Sequence, residues 1–200
     1  MDIFFTADTH LDHVNILKYT PRPFKTVEEM NEALVHAWNA KVGRKARVYI
    51  VGDFAFRRHA YWANRLNGHK TLILGSHDRA SQEVYRTVFA EVPPLKMLEV
   101  GDNAYYMTHN CPRVWERSHY GSRALFGHSH GRLRTYNLSM DVGVDNAPDL
   151  APFSVEEIEG IMDLRTAEMR RQDRIVQEGG KTLYRQDDVR WLLDRYGQPL

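Results

Sequence analysis

The chain has 200 residues, 42% of them apolar, with ten Tyr and four Trp, which suits one domain with a single core and excludes a disordered chain. A net charge of +1 without any block of like charges excludes a broad nucleic-acid footprint, though it leaves room for a local basic pocket. The single cysteine, Cys111, excludes an internal disulfide framework and suits a reducing compartment. No charged leader precedes Asp8 and His10, and no apolar run approaches the roughly 18 residues of a membrane span. The expectation is a cytoplasmic protein without membrane contact.

Ile3 to Ala7 reads as a strand ending at Asp8-Thr9-His10. Thr26 and Glu29 have capping-box spacing, and Met30, Leu34, Ala37, Trp38 and Val42 recur at helical period, so a helix is predicted from Thr26 to about Val42. Val48 to Val51 is a second strand, ending at Gly52-Asp53. A helix over 57–66 precedes a third strand, Thr71 to Leu74, which ends at Gly75-Ser76-His77-Asp78. Another helix is predicted from Ser81 to Phe89. Two strands, Leu95 to Val100 and Ala104 to Thr108, flank the turn signal Gly101-Asp102-Asn103. Ala124 to Phe126 leads into Gly127-His128-Ser129-His130, and a last strand region lies between Thr135 and Val144. Ser154 and Glu157 form a second capping box, opening a charged helix to about Gln177 that Gly179-Gly180 breaks. Val189, Leu192, Leu193 and Tyr196 give a short final helix one apolar face. Strands alternate with helices early and dominate later, which suits a layered α/β sandwich. A domain over 1–160 is expected, with 161–200 a charged helical extension packed on it or on a partner subunit, a route to a homo-oligomer.

Metal-ligand side chains fall at the ends of five predicted strands: Asp8 and His10, Asp53, His77 and Asp78, His109, and His128 and His130. In extended backbone residues i and i+2 point the same way, so Asp8 and His10 are expected to converge, as are His128 and His130. Strand ends along one sheet edge form a crevice, and the glycines before Asp53, Ser76 and His128 allow tight turns and close approach. Mixed carboxylate and imidazole donors suit Mn, Fe, Co, Ni or Zn rather than Ca, and the lack of cysteine ligands argues against a structural zinc. A lone histidine at a strand end is ordinarily structural; five such segments in series are not. His13 is a candidate substrate contact, and His119 a weaker one. His36, His59 and His69 read as packing or surface residues. Arg113, Arg123 and Arg132 flank the late motifs, where one could meet a phosphate. Trp115, Tyr120 and Tyr136 are candidates for stacking or for the core.

The series DxH, GD, GxHD, lone H, GHxH resembles the calcineurin-like metallophosphoesterases over roughly residues 1–160. The stretch from Asp8 to Ile16, with Arg22-Pro23-Phe24 after it, is similar to a bacterial and phage branch of small phosphoesterases, which has Gly where this chain has Asp12. The resemblance implies a four-layer αββα sandwich of two mixed sheets flanked by helices, holding two divalent metal ions. By position, Asp8, His10 and His130 would hold the first, Asp53 would bridge, and His109 and His128 would hold the second. The family's Asn ligand falls on Ser76, leaving Ser76 and His13 as doubtful metal or phosphate contacts. His77 would stand beside the scissile phosphate with Asp78 orienting it. The implied activity is hydrolysis of phosphodiesters, such as cyclic nucleotides, nucleotides or nucleic-acid ends, by a metal-bridging hydroxide. The alternatives are a phosphomonoesterase or phosphoprotein phosphatase and, in another class, a non-catalytic binding scaffold.

Overall fold

The computed structural model describes residues 1–133 and 136–184. Its elements run β1 (Ile3–Thr6), α1 (Ile16–Tyr19), α2 (Val27–Lys41), β2 (Arg47–Val51), α3 (His59–Arg65), β3 (His69–Ile73), α4 (Gln82–Arg86), β4 (Lys96–Val100), β5 (Asn103–Met107), β6 (Arg123–Phe126), β7 (Ser139–Asp141), β8 (Phe153–Ser154), α5 (Val155–Arg171), β9 (Ile175–Glu178) and β10 (Lys181–Tyr184). Two four-stranded sheets form, in the orders β3-β2-β1-β8 and β4-β5-β6-β7. Both are mixed. In the first, β1, β2 and β3 are parallel and β8 is antiparallel; in the second, β5, β6 and β7 are parallel and β4 is antiparallel. This is the expected sandwich of two mixed sheets flanked by helices.

Period-two alternation sorts the strand residues of the first sheet between two cores. Phe4, Val48, Ile50 and Leu72 face outward onto Met30, Leu34 and Trp38 of α2, Trp62 of α3 and Tyr85 of α4. Phe5, Tyr49, Val51 and Ile73 face inward, where they meet Tyr105, Met107, Leu125 and Met140 of the second sheet. The Phe5 ring lies 5.6 Å from Tyr49 and 5.2 Å from Tyr105. Burial on both faces is why β1 and β2 read as continuous apolar runs rather than alternating ones.

The N-terminus of α2 is capped by Thr26, whose hydroxyl accepts the Glu29 N–H at 3.1 Å. The returning bond reaches one residue further than a capping box, because the Glu29 carboxylate accepts the Lys25 N–H at 3.0 Å. At α5 the Ser154–Glu157 box is complete in both directions. Helix α5 spans residue 160 and buries Ile158, Met162 and Met169 in the inter-sheet core.

It stops at Arg171, short of the expected Gln177, and β9 and β10 pair as an antiparallel hairpin. Gly179 and Gly180 have φ of +57° and +76°, so the two residues read as a helix breaker are the centre of a type I′ turn. The expected final helix over 189–196 lies outside the described residues. Among the described residues no helix is long and apolar enough to cross a membrane.

Candidate metal centre

Five parallel strands, β1, β2, β3, β5 and β6, each hand the chain to one of the five motifs one to three residues past their last paired residue. The left-handed region dominates there. Asp8 (φ 55°), His10 (50°), Asp53 (54°), His128 (68°) and His130 (48°) all adopt it, a conformation in which Asp, Asn and His are the enriched non-glycine residues. The i, i+2 expectation is corrected on this point. Asp8 and His10 do converge, but through left-handed turns rather than extended backbone, and His128 and His130 part into separate groups. Asp12 is left-handed too (φ 64°), the conformation that favours glycine there, and here its carboxylate pairs with Arg58 at 2.6 and 2.7 Å.

Two clusters could each hold a metal ion: Asp8 with His10 and His130, and Asp53 with His109 and His128. They meet at one atom. Asp53 Oδ2 lies 3.5 Å from His10 Nε2 in the first group and 3.3 Å from His109 Nε2 in its own. His10 Nε2 and His109 Nε2 are buried and without a hydrogen-bond partner. Such an orphaned nitrogen is costly unless something satisfies it, and a divalent cation fits a donor set made only of carboxylate oxygens and imidazole nitrogens. His109 Nδ1 lies 2.9 Å from the Val51 carbonyl; donating there fixes the tautomer that leaves the Nε2 lone pair free. Close approach needs Gly52, since a Cβ there would stand 2.2 Å from His109 Nδ1. Gly127 serves Asp8 in the same way, with its absent Cβ 2.7 Å from Asp8 Oδ2.

Burial and neighbouring charge pull the cluster residues in opposite directions. Burial raises the Asp8 carboxyl to about 7 and holds the His10 imidazole down at about 2. At His109 burial opposes the charged form, but the Asp53 carboxylate outweighs it and lifts the ring to about 9. Burial also works against the Asp53 charge, and His109 and the His77 N–H overcome it, holding that carboxyl well below the usual range.

The remaining predicted residues divide. His77 is half-buried beside the first cluster, its ring centroid 5.4 Å from His10 and 5.6 Å from His13; its N–H donates to Asp53 Oδ1 at 2.8 Å. Asp78 does not meet the His77 ring in any described hydrogen bond. Its buried carboxylate accepts the N–H groups of Asp53, Phe54 and Gly75 at 2.8, 2.9 and 2.8 Å. Ser76 is exposed, with Oγ 3.4 Å from the Asp53 carboxylate. His13 lies 5.4 Å from His10 and packs at 4.7 Å against Phe56, an exposed ring on the rim that the sequence did not single out.

Away from the centre, Arg123 pairs with Glu159 at 2.6 Å, Trp115 is buried and donates to the Ser122 carbonyl at 3.0 Å, and the His119 ring lies tilted against Tyr120, centroids 4.0 Å apart. The sequence also missed Asp141, Asp145 and Arg22. Asp141 accepts from Ser129 Oγ at 2.6 Å and from the Gly131 and Gly143 N–H groups at 3.0 and 2.8 Å, bracing the Gly-His-Ser-His loop. Asp145 contacts His130 at 2.7 Å, and the Gly143-Val144-Asp145 run past β7 was a signal like Gly52-Asp53 past β2.

Two facing mixed sheets gather Asp and His motifs at their strand ends in the order that the resemblance to the calcineurin-like metallophosphoesterases implied. No family model matches it. It is 31% identical over 145 residues to Uncharacterized protein MJ1445 of Methanocaldococcus jannaschii, covering 70% of this chain and 82% of that protein, and the two belong to one family. Gene 66 protein of Mycobacterium phage D29 is similar at 25% identity over 186 residues, 76% of this chain and 92% of the relative. Among solved structures, the protein of unknown function AQ665 from Aquifex aeolicus superposes with a TM-score of 0.61 and 18% identity, covering 80% of this chain and 98% of that one; at that identity the likeness speaks for the fold alone.

Proposed function

We propose that the protein is a dinuclear metal-dependent phosphoesterase acting on phosphodiesters. The observation that carries this reading is Asp53 Oδ2, within 3.5 Å of an orphaned imidazole nitrogen from each cluster. Asp8, His10 and His130 would hold one cation, His109 and His128 the other, and Asp53 would bridge. When bound, two such ions act as Lewis acids toward a phosphoryl oxygen and bring the pKa of water down to about 7. His77, whose main-chain N–H donates to Asp53 Oδ1, would place its ring at the open side of the centre as the proton donor to the leaving oxygen. Asp78 would act indirectly, holding the Asp53 turn in shape. The exposed Phe56 ring, tilted at 51° against His13 beside His77, supplies an aromatic contact for an organic ester group, which supports diesters such as nucleotides or nucleic-acid ends as substrates.

The test is a panel of aryl mono- and diesters, cyclic nucleotides and short oligonucleotides, assayed with Mn, Fe, Co, Ni and Zn and with Asp53→Ala as control. Diester turnover is expected to exceed monoester turnover, and Asp53→Ala to lose both metals and activity. Two bound metals with no turnover on any ester would identify a binding scaffold instead.

A further inference from the structure

Arg22 lies between α1 and α2, in a segment that supplies no ligand to either cluster. Its side chain is 1% exposed and faces Asp145, 5% exposed, in a two-pronged ion pair, Nε to Oδ1 and Nη2 to Oδ2, both 2.8 Å. Nη2 also donates to the Asp8 carbonyl at 2.6 Å, and Nη1 to the Thr9 carbonyl at 3.0 Å and to Met30 Sδ at 3.3 Å. A guanidinium has five N–H groups, and these five bonds use them all. None is left for a substrate phosphate, which removes the usual reading of a buried arginine beside a phosphoester site.

The pair instead joins separate parts of the first cluster. Asp145 Oδ2 lies 2.7 Å from His130 Nδ1, and accepting a hydrogen bond from the Nδ1–H leaves the Nε2 lone pair for a cation. On its other side Arg22 grips the main chain between Asp8 and His10. Desolvation offsets much of the attraction within a buried ion pair, so the gain from this one is geometric more than energetic. In the second cluster His109 and Asp53 have braces of their own, Val51 and Asp78; its link to the first is the His128 main-chain N–H, which donates to the Asp8 carboxylate at 2.8 Å rather than to Arg22 or Asp145.

We propose that Arg22 and Asp145 are positioning residues that lock His130 and the Asp8–His10 turn into a single first-metal site and leave the second site untouched. The proposal rests on the dinuclear reading above.

Calorimetric titration of Mn(II) into the metal-free full-length protein tests it. The wild type should show two binding events. Asp145→Asn, which keeps the side-chain shape, and Arg22→Lys, which keeps the charge but loses the fork, should each weaken one event by roughly 10–100-fold, the usual effect of removing a partner behind a metal ligand, and spare the other. His130→Ala should remove most of the same event, and adding Asp145→Asn to it should cost less than Asp145→Asn costs alone, because part of the carboxylate's effect passes through that ring. Denaturant curves of the metal-free variants establish that each is folded, and Asp145→Asn alone decides the matter if Arg22→Lys is not. Equal weakening of both events, no weakening of either, or an additive double variant would overturn the pair's role while leaving the dinuclear reading intact. A wild type that takes up no Mn(II) would overturn both.

Discussion

Asp78 holds Asp53 by its main chain: the buried Asp78 carboxylate accepts the Asp53 N–H at 2.8 Å, with the Phe54 and Gly75 N–H groups alongside. A carboxylate spent on three backbone donors is a clamp on a turn, not the partner of a proton donor. Asp78→Ala should therefore lower stability by about 3 kcal/mol or more, since each buried donor left without an acceptor costs about 1–3 kcal/mol. Denaturant unfolding measures this. The dependence of rate on leaving-group pKa should keep its wild-type slope in whatever activity remains; a slope like that of a His77 variant would restore Asp78 as the orienting partner.

His77→Ala is expected to separate chemistry from metal binding. Metal content by elemental analysis should match wild type, while turnover falls roughly 10²–10⁴-fold, the usual range for a general acid. Esters with good leaving groups should lose least because they need little protonation. A uniform loss would assign His77 to charge stabilisation, and loss of metal would make it a ligand.

Ser76 stands exposed with its hydroxyl 3.4 Å from the Asp53 carboxylate. An Asn side chain reaches one bond further and offers both a carbonyl ligand and an NH₂ donor. Ser76→Asn should tighten the second metal and raise kcat/KM without changing the first, as read by metal titration with activity followed in parallel. An Asn variant that binds no tighter and works no faster would mark serine as an adaptation of this chain.

Metal binding should release protons and become weaker as pH falls. His109, lifted to about 9 by Asp53, carries a proton at pH 7 that a cation must displace. The sign for stability follows. A histidine whose folded pKa is raised above 6.5 lends the metal-free protein stability that is complete below 6.5 and is lost as pH rises through about 9. His130 is raised as well, burial being outweighed by its Asp145 partner. Between pH 7 and 9 the metal-free protein should thus lose up to about 1.4 kcal/mol per pH unit through His109, and the gap in Tm between metal-loaded and metal-free forms should widen. Thermal scans at pH 7, 8 and 9 measure it; a constant gap would contradict the His109–Asp53 pairing.

What could be read from the sequence was local. Strands β1, β2 and β3 and their terminal motifs were legible because a short apolar run followed by Asp or His states both burial and chemistry within ten residues. Arg22 and Asp145 were not, because their meaning lies in a contact 123 residues apart, and neither residue type is rare. The three N–H groups that the Asp78 carboxylate accepts were not legible, since adjacency to His77 says nothing about which way a side chain turns. The hairpin β9–β10 was hidden by its composition. Charged residues fit a solvated helix face as well as a solvated strand, and only the left-handed pair Gly179-Gly180 distinguishes the two.

The left-handed backbone at Asp8, His10, Asp53, His128 and His130 makes the centre open to retuning. The main chain at these five positions discriminates against β-branched and bulky residues but treats Asp, Asn, His and Gly as near equivalents. Exchanges among those four alter charge and donor softness while the turns keep their shape. The cation a descendant of this protein prefers can therefore drift by single substitutions, each chemically large and conformationally small, whereas a Val or Ile at any of the five would distort the turn that carries the ligand.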